Sequence, residues 1–111
     1  MTQTNIKNLP EGRTYWTEFG WTDRHPWVEV RRTAKTVTLS PVNVVSDPDW
    51  KPEFHQGGFS AHCSNQSDQT WLFDSIDDET TVTVRLTKRG WRRNGTGFGE
   101  GYARRHYDYN F

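Results

Sequence analysis

Between Thr80 and Lys88 the chain alternates without a break: Val82, Val84 and Leu86 fall on one face, and Thr81, Thr83, Arg85 and Thr87 on the other. A period of two is the mark of a half-buried strand. The same period recurs over Trp27 to Thr33, where Val28 and Val30 oppose Glu29 and Arg31. It recurs again over Arg13 to Trp21, where Tyr15, Thr17 and Phe19 share one parity and Trp16 and Glu18 the other. No segment keeps a helical period, and there are no heptads and no internal repeat. Short strands punctuated by Gly and Pro specify a mostly β fold: a small antiparallel sheet, sandwich or barrel-like domain with little helix.

The punctuation sets further expectations. Asp23-Arg24-His25-Pro26 reads as a loop, because Pro26 has no backbone donor and holds its predecessor extended. Ala34-Lys35 reads as a turn joining Trp27–Thr33 to Thr36–Leu39 in a hairpin, with Ser40-Pro41 as an interruption and Val42–Val45 as a separate strand. Ser46 to Gly58, with Pro48, Pro52, Gly57 and Gly58, is the longest irregular stretch before the C-terminus. Loops of that length in a small domain are usually functional or disordered, and Trp50 and Phe54 argue that this one packs against something. Asp47–Lys51 suits a short turn of helix. Strands are also expected over Phe59–Cys63, Gln69–Asp74, Trp91–Arg93 and Ala103–Tyr109. Residues 1–12 are polar and read as a flexible N-terminal arm, leaving 13–111 as a single β-rich domain.

The core of such a domain must be aromatic. Leu, Ile, Val and Phe together number 20 of 111 residues, and mean hydropathy is −0.99, values that on their own suggest disorder. Six Trp, four Tyr and six Phe with zero formal net charge oppose that: each buried ring removes a large area from water. Trp27, Trp71 and Trp91 fall in or beside expected strands and read as core. So thin a core gains from a second copy, and a homo-oligomer is expected. The single cysteine, Cys63, permits no intrachain disulfide and suggests a reducing compartment. No apolar run approaches the ~20 residues of a membrane span, and the N-terminus lacks the apolar stretch of a signal peptide. The expected setting is cytoplasmic, without a membrane partner.

Charge cancels overall but not locally. From Arg85 to Arg105 seven cations (Arg85, Lys88, Arg89, Arg92, Arg93, Arg104, Arg105) meet one anion, Glu100, and Trp91, Phe98 and Tyr102 interleave them. Guanidinium forks pair with phosphate and rings stack on bases; the alternative is a solvated strand face. Between the arginines lies Asn94-Gly95-Thr96-Gly97-Phe98-Gly99-Glu100-Gly101. It reads as a flexible hairpin tip or as a loop whose amides approach an anion. It is neither a dinucleotide fingerprint nor a phosphate-binding P-loop, lacking both the spacing and the Lys-Ser/Thr. His55, His62 and Cys63 match no standard zinc spacing. Gly58 to His62 lacks the nucleophile-elbow pattern, and Asp77-Asp78-Glu79 lacks the spaced ligands of a calcium loop. No catalytic constellation emerges, so the chain reads as a binding protein and not an enzyme, with no cofactor and no metal.

Three short segments carry a resemblance. Thr22-Asp23-Arg24-His25-Pro26-Trp27-Val28-Glu29-Val30 is similar to an S-D-R-x-P-x-x-V segment near the start of many small phage proteins. Lys88-Arg89-Gly90-Trp91 looks like their K-N-G-x-W turn, and Ala103 to Phe111 resembles their closing R-x-Y-Y-D-x-S-F. Among these proteins the chain is similar to the first-described Thoeris anti-defence sponges, which sequester cyclic ADP-ribose isomers, and in some cases cyclic oligonucleotides, without degrading them. Pro52 to Cys63 has no counterpart. The resemblance implies that Arg24 and Arg104 or Arg105 bind phosphate in the cytoplasm of a bacterial host. Position and chemistry add Asn94, an amide for a base or ribose edge, and Phe98, a ring for stacking. The implied ligand is a cyclic nucleotide or cyclic ADP-ribose. Two other readings use the same residues: a phage protein inhibiting a host defence complex by direct contact, in the manner of an anti-CRISPR protein, and a single-stranded nucleic-acid binder.

Overall fold

A computed structural model describes residues 4–57 and 60–110, with the side chains of residues 55–62 outside that description. Its strands are β1 (Ile6–Lys7), β2 (Tyr15–Phe19), β3 (Arg24–Arg32), β4 (Thr36–Ser46), β5 (Phe54–Gly57), β6 (Ser60–Cys63), β7 (Trp71–Ile76), β8 (Val82–Thr87), β9 (Gly90–Arg93) and β10 (Thr96–Glu100). The only helical element among the described residues is a 3-10 turn, Gln66–Asp68. The mostly β, barrel-like expectation is met.

Six strands close into an antiparallel barrel in the order β4-β3-β2-β10-β9-β8, and β8 returns to pair Val82–Arg85 with Thr36–Leu39 of β4. The second half of β4 leaves the barrel and pairs Val42–Ser46 with β7, onto which β1 adds in parallel. β7 and β8 thus lie end to end along one edge of β4, separated by residues 77–81. β5 and β6 form a hairpin of their own.

Alternation fills the barrel. Trp16 pairs with Trp27, Glu29 with Leu39, Leu39 with Val82 and Trp91 with Phe98, so these side chains share the interior with Val37 and Val84. Trp16, Val37, Leu39, Val84 and Phe98 are buried there, packed by Trp27, Val82 and Trp91. A six-stranded barrel is narrow enough for side chains to fill it. Trp16 and Trp91 meet edge to face at 5.2 Å, and Trp27 and Phe98 at 6.2 Å. Each buried ring is worth about 4–6 kcal/mol in transfer free energy, which offsets the shortage of aliphatics. Polar groups close the two ends. At one, Glu29 accepts from Trp16 Nε1 (2.9 Å) and Arg32 (3.0 Å), and Arg32, also paired with Glu100, lies over Trp16 and Trp91. At the other, Glu18 accepts from Trp27 Nε1 at 3.0 Å.

The opposite parity builds a second core on the outside of the same strands. Tyr15, Val28 and Val42 point outward against Ile6 and Ala103, with Leu9, Val44, Trp71, Phe73 and Ile76 around them. This double burial explains why Tyr15, Trp16 and Thr17 are all buried in succession. In the segment expected as an arm, Ile6 is buried in this core, and Lys7 reaches Asp47 at 2.6 Å.

Both proline breaks are corrected: of Asp23–Pro26 only Asp23 lies outside a strand, and Ser40-Pro41 does not interrupt. Arg24, His25 and Pro26 open β3, and β4 runs unbroken through Pro41, absorbing the separate strand expected at Val42–Val45. The reason is where the ladder has gaps. Glu29 N–H points at the segment before β2, donating to Thr14 O, so Pro26, of the other parity, turns its missing donor toward β4. Its neighbour there has gone, because the β3–β4 ladder begins at Trp27–Pro41. Pro41 likewise lies between the β8 and β7 ladders on its edge. Proline is tolerated in a strand where no donor is required.

The glycine run is also corrected, from a loop to strand β10. The β9–β10 turn is only Asn94-Gly95, both at positive φ (51° and 82°) as a tight hairpin requires. Gly97 and Gly99 face outward beneath the ring of Phe19; a Cβ on Gly99 would stand 2.8 Å from Phe19 Cζ. Ser46–Gly58 is less irregular than expected: it contributes β5, while Asp47–Trp50 forms a turn capped by the Asp47 carboxylate on Asp49 N–H (2.9 Å) rather than a turn of helix. The expected Phe59–Cys63 strand is seen as Ser60–Cys63, Phe59 lying outside the described residues.

The last expected strand, Ala103–Tyr109, does not form; one backbone bridge, Arg24 to His106, is all that remains of it. Side chains replace the ladder. The amides of Arg104, Arg105, Tyr107, Asp108 and Tyr109 donate to Thr17 Oγ1, Asn5 Oδ1, Gln69 Oε1, Asp23 Oδ1 and Gln66 Oε1. Asn110 clasps both backbone groups of Cys63. Gln69 is fully buried with its amide satisfied at four points: it donates to Gln66 O and Tyr107 O and accepts from Trp71 Nε1 and Tyr107 N–H.

Candidate functional site

Beyond the Trp27–Pro41 pair, β3 and β4 part, and a cleft of about 430 Å³ opens between them. Pro26, Trp27, Pro41, Val42 and Val44 give it an apolar lining; Glu18, His25, Asn43 and Arg105 bring polar groups to it. Few polar groups converging on an apolar concavity is the usual form of a small-ligand site.

Arg105 is built into place. Asn5 grips its backbone twice, donating to Arg105 O (2.5 Å) and accepting from Arg105 N–H (3.0 Å). The guanidinium lies 5.0 Å from the Trp71 ring centroid, and Nη1 donates to His25 Nδ1 at 3.1 Å and Arg24 O at 3.4 Å. Burial, then the Arg105 charge, lower the pKa of His25, against the opposing pull of Glu18 and Asp23. Trp27 is oriented by its bond to Glu18 and backed by Phe98. Asn43 donates to Ser75 Oγ at 3.2 Å from the β4 side. The cleft therefore offers a cation, a ring and an amide, with no nucleophile–base pair among them.

The residues singled out from the sequence fare differently. Arg24 and Arg105 are brought together by the Arg24–His106 bridge. The Arg24 guanidinium is committed to its own loop: it lies 5.0 Å over Phe19 and donates to Gly20 O and Asp23 O. Arg104 donates its backbone amide to Thr17 Oγ1 at 3.1 Å. Asn94 is exposed in the β9–β10 turn, at the same end of the barrel as Gly20–Asp23. Phe98 is buried in the barrel and turns its ring to Trp27, not to solvent. The sequence places Trp27 in the core and assigns no binding role to His25, Glu18 or Asn43, all of which line the cleft. The available signal was Pro26 and Pro41, which stand on either side of the Ala34-Lys35 turn at positions that nearly face each other: two such prolines mark where a hairpin's strands part.

Among the described residues no group of three His, Cys, Asp or Glu is placed to hold a metal ion. His55 and His62 are cross-strand partners, but their side chains lie outside the described residues. Cys63 is buried, its Sγ 3.5 Å from Asn65 Oδ1. No helix among the described residues is long and apolar enough to cross a membrane. Comparison with known protein families, curated proteins and solved structures returns no match to this chain.

Proposed function

We propose that the protein is a non-catalytic binding module that captures a small anionic ligand of the cyclic-nucleotide or cyclic ADP-ribose class in the β3–β4 cleft and holds it intact. The observation that carries this reading is Arg105, fixed by Asn5 and Trp71 at the edge of a cleft lined by Trp27. Arginine pairs with phosphate through charge-assisted bonds, and the indole supplies a face for a base. The reading agrees with the phage anti-defence sponge that Arg24 and the C-terminal arginines resemble, and it moves the ring from Phe98 to Trp27. Glu18 gives the site an acceptor for an exocyclic amine or a ribose hydroxyl.

Native mass spectrometry and calorimetry with a panel of cyclic dinucleotides, cyclic trinucleotides and cyclic ADP-ribose isomers test it. A ligand should bind and be recovered unchanged, and Arg105→Ala should weaken it about 10–100-fold, the worth of one bond to a charged group. Wild-type affinity in Arg105→Ala would remove the cleft from the proposal, and a panel without a binder would remove the ligand class.

One feature favours the protein-directed alternative. Trp21, at the tip of the Gly20–Asp23 loop, is 93% exposed, and tryptophan is enriched among interface hot spots. That reading expects a stable complex with a bacterial protein, lost in Trp21→Ala and retained in Arg105→Ala.

A further inference from the structure

Strand alternation splits the basic window in two. Trp91 and Phe98 turn into the barrel, while Arg85 and its cross-strand partner Arg92 turn out. On the outer surface of β3, β4, β8 and β9 two cross-strand rows stand side by side: Arg31–Thr38–Thr83, and Thr36–Arg85–Arg92. Lys35, Lys88 and Arg89 extend the face at the adjoining turns, and Arg31, Lys35, Arg85, Lys88 and Arg89 are exposed. No carboxylate occupies an outward position of these rows. The nearby Glu29 and Glu100 are both engaged by Arg32, and the ion pairs found among the described residues are those of Arg32 and Lys7.

Arg85 and Arg92 are direct cross-strand partners. Like charges so placed destabilise a sheet. Arg92 partly relieves this by bending Nη1 to Gly95 O at 2.9 Å, while its Nε has no partner among the described residues. An anion lying along the face would neutralise the pair. The hydroxyls of Thr38 and Thr83 in the first row are donors of the kind that bind phosphate oxygens, whereas that of Thr36 meets Thr33 Oγ1 at 2.6 Å. The face carries no exposed ring, so it has nothing on which an unpaired base could stack.

We propose that this arginine–threonine face binds the sugar–phosphate backbone of double-stranded nucleic acid without reading its sequence. The cations run from Arg85 to the Lys88-Arg89 turn, about 13 Å at the strand rise, a length that meets several successive phosphates of one strand. This surface is distinct from the β3–β4 cleft and does not depend on it.

Fluorescence anisotropy of a labelled duplex of about 25 base pairs, titrated with the full chain across about 25–200 mM KCl, is the test. Binding should fall steeply with salt. The double variant Arg85→Gln/Arg89→Gln, both positions exposed and without an ion pair among the described residues, should bind at least about tenfold more weakly at 50 mM salt. Its logarithmic salt slope should be shallower by about 2, near 0.9 for each phosphate contact removed. Lys51→Gln, on the far segment after β4, should bind as wild type, and circular dichroism should find all three folded alike. No binding at 50 mM salt would overturn the proposal. So would a double variant that binds as wild type, or an oligothymidine strand bound tenfold more tightly than the duplex.

Discussion

His25 Nδ1 faces Arg105 Nη1 at 3.1 Å, and an arginine has only protons to give. Nδ1 must therefore accept, and the ring carries its single proton on Nε2. A lowered pKa follows, with burial as its first cause and Arg105 as its second. The sign of the linkage is then fixed: the native state prefers the neutral ring, so protonation below the ordinary value of about 6.5 draws stability away. A bound phosphate reverses the local field and raises the pKa. Ligand binding should thus take up a proton at His25 and tighten as pH is lowered through the range where that ring titrates. Calorimetry in buffers of different ionisation enthalpy would read the uptake, and His25→Gln should abolish it. Two buried polar residues give a contrasting pair. Ser40 Oγ has no partner among the described residues, so Ser40→Ala should leave stability unchanged or raise it by up to about 1 kcal/mol. Gln69 is satisfied at four points, so Gln69→Leu should cost about 2–4 kcal/mol by stranding the groups it pairs; chemical denaturation of the two variants tests both.

At the scale of elements, Gly97 and Gly99 look alike in sequence but sit differently under Phe19. A Cβ on Gly97 would make ordinary contact at 3.7 Å, whereas one on Gly99 would collide with Phe19 Cζ at 2.8 Å and the Tyr102 hydroxyl at 2.9 Å. Gly99→Ala should therefore lose about 1–3 kcal/mol in a thermal or urea melt, and Gly97→Ala should be nearly neutral. The contrast marks what was legible beforehand. The alternation of Thr80–Lys88 and Trp27–Thr33 placed β8 and the body of β3, because one parity fills the barrel. The prolines misled, since their tolerance depends on which edge lacks a partner, and that is set by β7 and β8 far along the chain. The glycines misled because Phe19, not any neighbour in sequence, supplies the ring that covers them. The tail was expected as a strand, but its amides go to side chains that no local pattern reveals. Of the site, Arg24 and Arg105 were visible as charges, but Trp27 and His25 were not, since the cleft exists only where two strands diverge.

Across the whole molecule, the barrel and the β1–β7 extension are joined through the length of β4. The extension's polar tie is Asp47, buried, with Lys7 at 2.6 Å, Thr70 Oγ1 at 2.8 Å and Asp49 N–H at 2.9 Å. Lys7 first, then these hydrogen bonds, lower its pKa from 3.8 to about 2. Its contribution to stability is complete above pH 3.8 and disappears as pH falls from 3.8 towards 2. An acid titration followed by tryptophan fluorescence should find unfolding in that window, and Asp47→Asn should lose stability at neutral pH while flattening the acid limb. The tail has a consequence in time. Its amides are held by residues as scattered as Asn5, Thr17, Asp23, Gln66 and Gln69, so it has no docking site until those distant parts of the chain have assembled. Long-range closures of this kind come late in folding. Arg105 rides on that tail, so under the proposed function the cleft would gain its cation, and the chain its competence to bind, only once the tail has docked.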